Sequence, residues 1–461
     1  MPDVTLSGLF PLPLVTFERY MLRDETSEHP MTFCLEFDFR GEFARADFDA
    51  ALDAALGRHP LFGAVVERVR GKGDCWVEAT GSRAPLDWGP IDAPLESPTG
   101  NVIDLGRELG LRLWLRQGDG RARLTLQIHH ACSDAVGAIQ FVGDLLAAYA
   151  ARTGEEPNQT QLAPLDPATL RHRAQFNVEP PEPVSQWQIL KATAAEAAKF
   201  LGRRPRPLAL CTATNGCGTE TEPAISFPSV CSHTFGADKT AALAAVARRH
   251  DATVNDVLLR DAFRLLAEWN APRQPRTRSG WLRITMPTNL RHLGNGPLPA
   301  ANVMSYTFLD RRPRQCDDPD GLLAGIRRET KSIKYWSMGL IHLGGLAFLL
   351  RVPGLFRGAV GRRRCVSSLV VSNVGDPTRH FQTRLDDEHG QIRAGNVVLQ
   401  RVCGAPPVRP LTRAAMLVSR CAGRLTLGLR CDPALFTPGD ARSFLDQYVE
   451  LLDRTASGGS W

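Results

Sequence analysis

Residues 121–150 read RARLTLQIHHACSDAVGAIQFVGDLLAAYA, and the hydrophobic period changes partway through. Ala122, Leu124, Leu126 and Ile128 alternate with Arg123, Thr125 and Gln127, the period-two pattern of a strand with one apolar face. Val136, Ile139, Val142, Leu145, Leu146 and Tyr149 then recur at helical spacing. The junction, His129-His130-Ala131-Cys132-Ser133-Asp134, is the densest chemical signal in the chain. Continued alternation puts His130 on the face of Leu126 and Ile128 and turns His129 the other way. An imidazole held against apolar neighbours stays in its neutral, basic form, because desolvation disfavours the cation. That form is what a general base for an alcohol, amine or thiol needs. Asp134 reads equally as a group that orients the site and as the cap of the following helix. A metal is the rival reading, but adjacent strand histidines point to opposite faces and make a poor chelate, so none is expected.

Outward from this junction, residues 46–59 (ADFDAALDAALGRH) and 237–250 (ADKTAALAAVARRH) share A-D-x-x-A-A-L-x-A-x-x-x-R-H, position for position, 191 residues apart. Each copy follows an extended run, FCLEFDF or CSHTF, so the chain reads as two similar halves of alternating strand and helix. Chance likeness between alanine-rich helices is the plain alternative. A proline-rich polar crossing at 153–186 separates the copies, and TATNGCGTETEPAISFP (212–228) forms a second loop-like segment. Thr253 with Asp256 predicts a capping box opening a helix toward Trp269. RLTLGLRC (424–431) predicts a late strand, and Thr437-Pro438 a terminal helix through Phe444, Tyr448 and Leu452.

At 461 residues the chain is long for one ordinary domain, and 43% hydrophobic with 23% charged residues excludes disordered and fibrous classes. No run of about eighteen apolar residues predicts a membrane span. The N-terminus lacks the pattern of a secretory signal, so a cytoplasmic protein is expected. Eleven cysteines without a C-x-x-C pair suit reduced thiols. The templates G-x-S-x-G, H-E-x-x-H and G-x-x-x-x-G-K-[ST] are all missing. The formal net charge of +6 is local: no acidic residue stands between Glu329 and Asp376, where Lys331, Lys334, Arg351, Arg357, Arg362, Arg363 and Arg364 lie. Nucleic acid is therefore not an expected partner. The run is either a solvated basic face or a dock for an acidic carrier protein, coenzyme phosphates or an anionic membrane. Residues 339–356, GLIHLGGLAFLLRVPGLF, are interrupted by Arg351 and Pro353 and predict a packed helix.

HHACSDAVG (129–137) resembles the HHxxxDG signature of condensation-type acyltransferases. That superfamily takes in chloramphenicol acetyltransferase, nonribosomal peptide condensation domains, polyketide-associated acyltransferases and wax ester synthase/diacylglycerol acyltransferases. ADFDAALDAALGRHPLF (46–62), ATVNDVLLRDAF (252–263), MPTNLRHLGN (286–295), VVSNVGDP (370–377) and LTLGLRCDPALF (425–436) resemble further segments of it in family order. The resemblance implies an α/β (α+β) fold of two chloramphenicol acetyltransferase-like subdomains, 1–175 and 176–461, forming a pseudo-dimer with an active-site tunnel between them. It implies transfer of an acyl group from acyl-CoA or an acyl-carrier protein to a hydroxyl acceptor. His130 would be the general base, with His129 in support. Asp134 would be a structural acid paired with Arg291, and Asn373, with Ser372 beside it, would line the tunnel. Apart from the resemblance, the charge run itself makes Arg362, Arg363 and Arg364 the expected contacts for the donor or for an anionic membrane. No bound cofactor is implied: coenzyme A or a phosphopantetheine thioester enters as substrate, and donor, acceptor, a separate carrier protein and a peripheral membrane contact are the expected partners. Leu343-Gly344-Gly345-Leu346-Ala347 lacks the serine of a carrier domain, so a free-standing enzyme is expected. A stand-alone amide-forming condensation enzyme and a noncatalytic scaffold of the same fold are the alternatives. Ala135 replaces the family glycine. It is expected to keep an ordinary negative φ, with Gly137 supplying slack in the turn.

Overall fold

A computed structural model describes residues 8–97, 100–153, 161–177, 186–211, 227–274, 280–294, 296–361, 363–388 and 390–458. The first half runs β1 (Leu12–Pro13), α1 (Thr16–Asp24), β2 (Thr32–Arg40), α2 (Arg45–Arg58), β3 (Ala64–Val69), β4 (Gly73–Glu78), β5 (Leu86–Pro90), β6 (Leu111–Gly118), β7 (Arg121–His129) and α3 (Ala135–Thr153). The second opens with α4 (Gln186–Gly202), β8 (Cys231–Phe235), α5 (Ala237–Arg249), α6 (Val254–Arg273), β9 (Leu282–Asn289), β10 (Met304–Arg311) and α7 (Pro319–Tyr335). It continues through α8 (Met338–Arg351), α9 (Leu355–Val360), β11 (Leu369–Gly375), β12 (Asp386–Glu388), β13 (Gln391–Ala394), β14 (Val397–Ala405), β15 (Ala414–Cys421), β16 (Arg424–Cys431) and α10 (Pro438–Ala456).

The two repeat copies are α2 and α5, each following a strand as read from the sequence. β2 pairs antiparallel with β7, which feeds α3, and α3 packs on α2. β8 pairs antiparallel with β16, which feeds α10, and α10 packs on α5. The counterpart of the β7–α3 junction is thus Cys431-Asp432-Pro433, which carries no histidine. Thr253 and Thr437 both cap as predicted, each in a reciprocal box with the aspartate three residues on.

Two main cores form, and the first also draws in second-half residues such as Val397, Leu399 and Leu417. Phe33, Leu35, Phe37 and Phe39 of β2 pack with Phe48 and Leu52 of α2 and Leu145 of α3 in the first. In the second, Leu258, Phe263 and Trp269 of α6 meet Leu427 of β16 and Phe444 and Tyr448 of α10. The sheets are ordered β12-β13-β14-β2-β7-β6-β5 and β10-β9-β11-β15-β16-β8, with a small β1-β4-β3 sheet beside them. Three strands of the second half therefore belong to the first sheet, and β14 pairs antiparallel along β2. A division at 175/176 does not anticipate this exchange. Residues 154–160 and 178–185 of the crossing, and the segment 212–226, lie outside the described residues.

The apolar run 339–356 differs from expectation. It breaks between α8 and α9 around Pro353, and Gly339 alone of α8 is fully buried, because neighbours cover only one side of the helix. Phe348 is 59% exposed. Among the described residues no single helix is long and apolar enough to cross a membrane; α7 and α8 pass that test together but meet at a 70° bend.

Candidate active site

β7 carries the two histidines to the line where the halves meet. The His130 N–H donates to the Met31 carbonyl at 2.7 Å, so strand pairing continues one residue past β7 and fixes the ring's direction. The ring packs on Phe33, with centroids 5.0 Å apart, and the residue is 7% exposed. Burial pushes the imidazole down to about 4, against the pull of its own carbonyl and Asp134, so it is neutral at pH 7. His129 turns the other way, as alternation requires. Its Nδ1 accepts from the Ala131 N–H at 3.0 Å, which leaves Nε2 to donate to Glu25 at 3.1 Å. The Glu25 carboxylate also accepts from the Met31 N–H, so His129 braces the segment on which His130 hangs.

Asp134 is both cap and ion-pair partner. Oδ1 accepts from the Gly137 N–H in the first turn of α3, and Oδ2 accepts from Arg291 Nη1 and the Val303 N–H, all at 2.8 Å. Burial pushes this carboxyl up, but Arg291 and the two N–H donors outweigh it and hold the group below the usual range. Arg291 also donates to the Ala301 carbonyl at 2.8 Å, and Asn289 Oδ1 accepts from its backbone N–H.

The strap Leu298–Val303 was not legible as functional, having neither periodicity nor a chemical motif. It nevertheless crosses the site and bonds to both sides of it. The Ala300 N–H donates to His59 Nδ1 at 2.7 Å, so His59 Nε2 donates to Asp144, 3.2 Å away. Asn302 Nδ2 donates to the His130 carbonyl and lies 3.3 Å from His130 Nδ1. The Arg58-His59 pair at the end of α2 thus ties α2, α3 and the strap together through Asp144, which is the role behind the R-H-P signal.

Ala135 opens α3 with ordinary backbone, since its φ is not positive. Gly137 corrects the expectation of slack. A Cβ there would stand 2.5 Å from Ser133 Oγ and 2.9 Å from both the Ala301 oxygen and Arg291 Nη2, so the strap and the guanidinium close on this glycine. Cys132 donates to the Leu61 carbonyl, and burial raises its thiol well above the usual value. The ten described cysteines are all free. Among the described residues no cluster of histidine, cysteine and carboxylate side chains is arranged to hold a metal ion.

No protein-family profile matches the sequence, and no curated protein does. Solved structures match along almost the whole chain. Trichothecene 15-O-acetyltransferase TRI3 from Fusarium sporotrichioides gives a TM-score of 0.67 at 12% identity, over 96% of this chain and 94% of that one. A mutant starter condensation domain of rhizomide synthetase RzmA, in complex with C8-CoA and Leu-SNAC, gives 0.63 at 13%, over 97% and 94%. The chain has the condensation-domain, chloramphenicol acetyltransferase-like fold. The nonribosomal peptide synthetase FmoA3 scores 0.64 at 16% over 98% of this chain but 45% of its own, so the chain spans less than half of that synthetase.

Within this condensation fold, three of the segments singled out in the second half converge. Asn255 at the start of α6 donates to Met286 Sδ on β9 and accepts from Asn373 Nδ2 on β11 at 3.1 Å. Asn373 is exposed, while Ser372 is half-buried and sits opposite Leu417 of β15. Among the described residues neither is hydrogen-bonded to His130 or Asp134, so the structure does not join them to the lock. The three arginines are not equivalent. Arg362 lies outside the described residues. Arg363 is exposed, whereas Arg364 Nη2 donates to the Phe200 and Leu201 carbonyls at the end of α4, so its charge is engaged there.

Proposed function

We propose that this protein is an acyltransferase that moves an acyl group from a thioester donor, acyl-CoA or an acyl-carrier protein, to a hydroxyl acceptor, with His130 as general base. One observation carries the reading: a buried imidazole, neutral above about pH 4, held between the halves by the Asp134–Arg291 lock and the strap of residues 298–303. His130 would take the acceptor proton as the acceptor oxygen attacks the thioester carbonyl. The C–S bond breaks as the ester forms, and the departing sulfur recovers the proton from the imidazolium. General-base assistance of this kind is worth about 10²–10⁴-fold. Holding donor and acceptor in line supplies roughly 7–11 kcal/mol, so placement between the halves outweighs proton removal. The like-folded TRI3 is named as an O-acetyltransferase, which supports a hydroxyl acceptor, and the RzmA domain is in complex with C8-CoA and Leu-SNAC, which supports a coenzyme A donor. Coenzyme A or phosphopantetheine thioesters enter as substrates in the cytoplasm, without a bound cofactor. The test is a panel of acyl-CoA and acyl-carrier donors against alcohols and amines, read by free-thiol release. Acceptor-dependent thiol release with alcohols supports the reading. A preference for amines replaces the ester product with an amide, and no release from any donor leaves a noncatalytic scaffold.

A further inference from the structure

Seven of the eight large hydrophobic side chains exposed among the described residues belong to α4, the α7–α8 corner and the α8–α9 segment, and three of them, Leu201, Phe348 and Leu355, line one cavity. α4 contributes Trp187 and Leu201, and the end of α7 contributes Tyr335 and Trp336. Phe348 of α8, Val352 and Leu355 complete the set; Leu435 is the one elsewhere. Behind them α4, α8 and β10 enclose a cavity of about 530 Å³, walled by carbon from side chains such as Phe17, Phe308, Ile341, Leu346 and Leu349. That volume is in the range of small-molecule sites, roughly 300–1,000 Å³.

Positive charge flanks the same helices. Gly358 and Val360 of α9 border both the apolar cavity and a second one of about 890 Å³, which is lined by Arg23, Arg204, Arg357, Arg363 and Arg364. Asp24 reaches this second cavity, but Arg409 already holds its carboxylate through two bonds of 2.7 Å. Beyond α8, Arg19, Arg23 and Arg351 border a third cavity, with Asp74 opposite. Aromatic and aliphatic side chains beside two arginine-bordered cavities that share Arg23, with no single described helix long and apolar enough to span, match the chemistry of the bilayer interface. An acyl-carrier protein would supply acidic side chains and one acyl chain for the cavity, but no apolar layer for Tyr335 and Trp336, which stand exposed outside it.

We infer that α8, α9 and the adjoining edge of α4 dock on a bilayer carrying anionic lipid, with the arginines on lipid phosphates and one hydrocarbon chain of a bilayer amphiphile entering the apolar cavity. The inference does not depend on the acyl-transfer reading. The full chain is floated with vesicles of phosphatidylcholine alone or with one-third phosphatidylglycerol, at low and high salt. Binding is expected to the anionic vesicles only and to be released by salt. Arg357→Gln with Arg363→Gln should weaken it about 25-fold, about fivefold per arginine. Phe348→Glu with Leu355→Glu should weaken it more than tenfold, while Leu435→Glu floats like the parent. An unchanged thermal transition shows each variant is folded. Gly345 lines the cavity, and a Cβ on it meets no atom within 4 Å, so Gly345→Trp can plug the space. That variant should keep vesicle binding and lose the fluorescence of a bound conjugated-polyene fatty acid. No vesicle binding at low salt, or face variants that float like the parent, overturns the docking surface. Capture of an acidic carrier protein without vesicle binding reassigns it. Undiminished fatty-acid binding by Gly345→Trp overturns the cavity's role.

Discussion

Removing the Asp134 carboxylate is the sharpest perturbation of the site. The group accepts three hydrogen bonds of 2.8 Å, from the Gly137 N–H, the Val303 N–H and Arg291. In Asp134→Ala the guanidinium, with its side chain 11% exposed, loses its counter-charge, and two buried N–H donors lose their acceptor. An uncompensated buried charge costs roughly 3–5 kcal/mol, and the loss expected here is about 4 kcal/mol. Arg291→Met should cost about 2 kcal/mol, because the two N–H donors still hold the carboxylate. The double variant should lose less than the sum, with a coupling above about 1 kcal/mol in urea unfolding of the four proteins. The carboxyl's folded-state value is held below its unfolded one. Its contribution is therefore full above the unfolded value, near 3.9, and lost as pH falls through the folded one. The stability gap between the parent and Asp134→Asn should persist at pH 7 and close below about pH 4. Coupling under about 0.5 kcal/mol, or a gap that stays constant to pH 3, would refute the reasoning.

Further outcomes are expected at three residues. His130→Ala should lower turnover by about 10²–10⁴-fold with little change in the urea midpoint. Because burial holds this imidazole at about 4, kcat/KM should stay level from neutral pH to about pH 5. An acid limb near 6.5 would remove His130 as the base. The same depressed value makes protonation favour the unfolded chain, so stability should fall as pH drops from about 6.5 to about 4. Gly137→Ala should cost about 1–3 kcal/mol by forcing the strap and Arg291 outward, and an unchanged melting temperature would show that the turn yields. Ala135→Gly should widen the range of acyl donors without raising stability; a gain of more than tenfold on every donor alike would mean that alanine disables the parent.

Local signals carried much of this architecture in the sequence. β7 and α3 follow from alternation giving way to helical spacing, and α6 and α10 from Thr253 and Thr437 with their aspartates, since both depend on residues close in the chain. The His130–Asp134 junction stood out because its residue types are chemically unusual together. Other features depend on distant partners. β14 reads as an ordinary apolar strand, and nothing within it reveals that its mate is β2. Asn302 gains its role from lying over the His130 carbonyl, a contact made by folding alone. Gly137 looked permissive because glycine lacks a side chain. The structure places it where the strap and Arg291 leave no room for one.

The exchange of β14 sets a schedule for synthesis. β2 can pair with β7 once the first 129 residues have emerged, but its other edge stays open until residues 397–405 follow. At about 5–20 residues per second that interval lasts on the order of tens of seconds. Through it, Phe33, Leu35, Phe37 and Phe39 stand on a strand with an unpaired edge, the kind of template on which nascent chains pair with one another. A gene split between the halves would leave that edge open for good, so the first fragment should be soluble only when the second is made in the same cell.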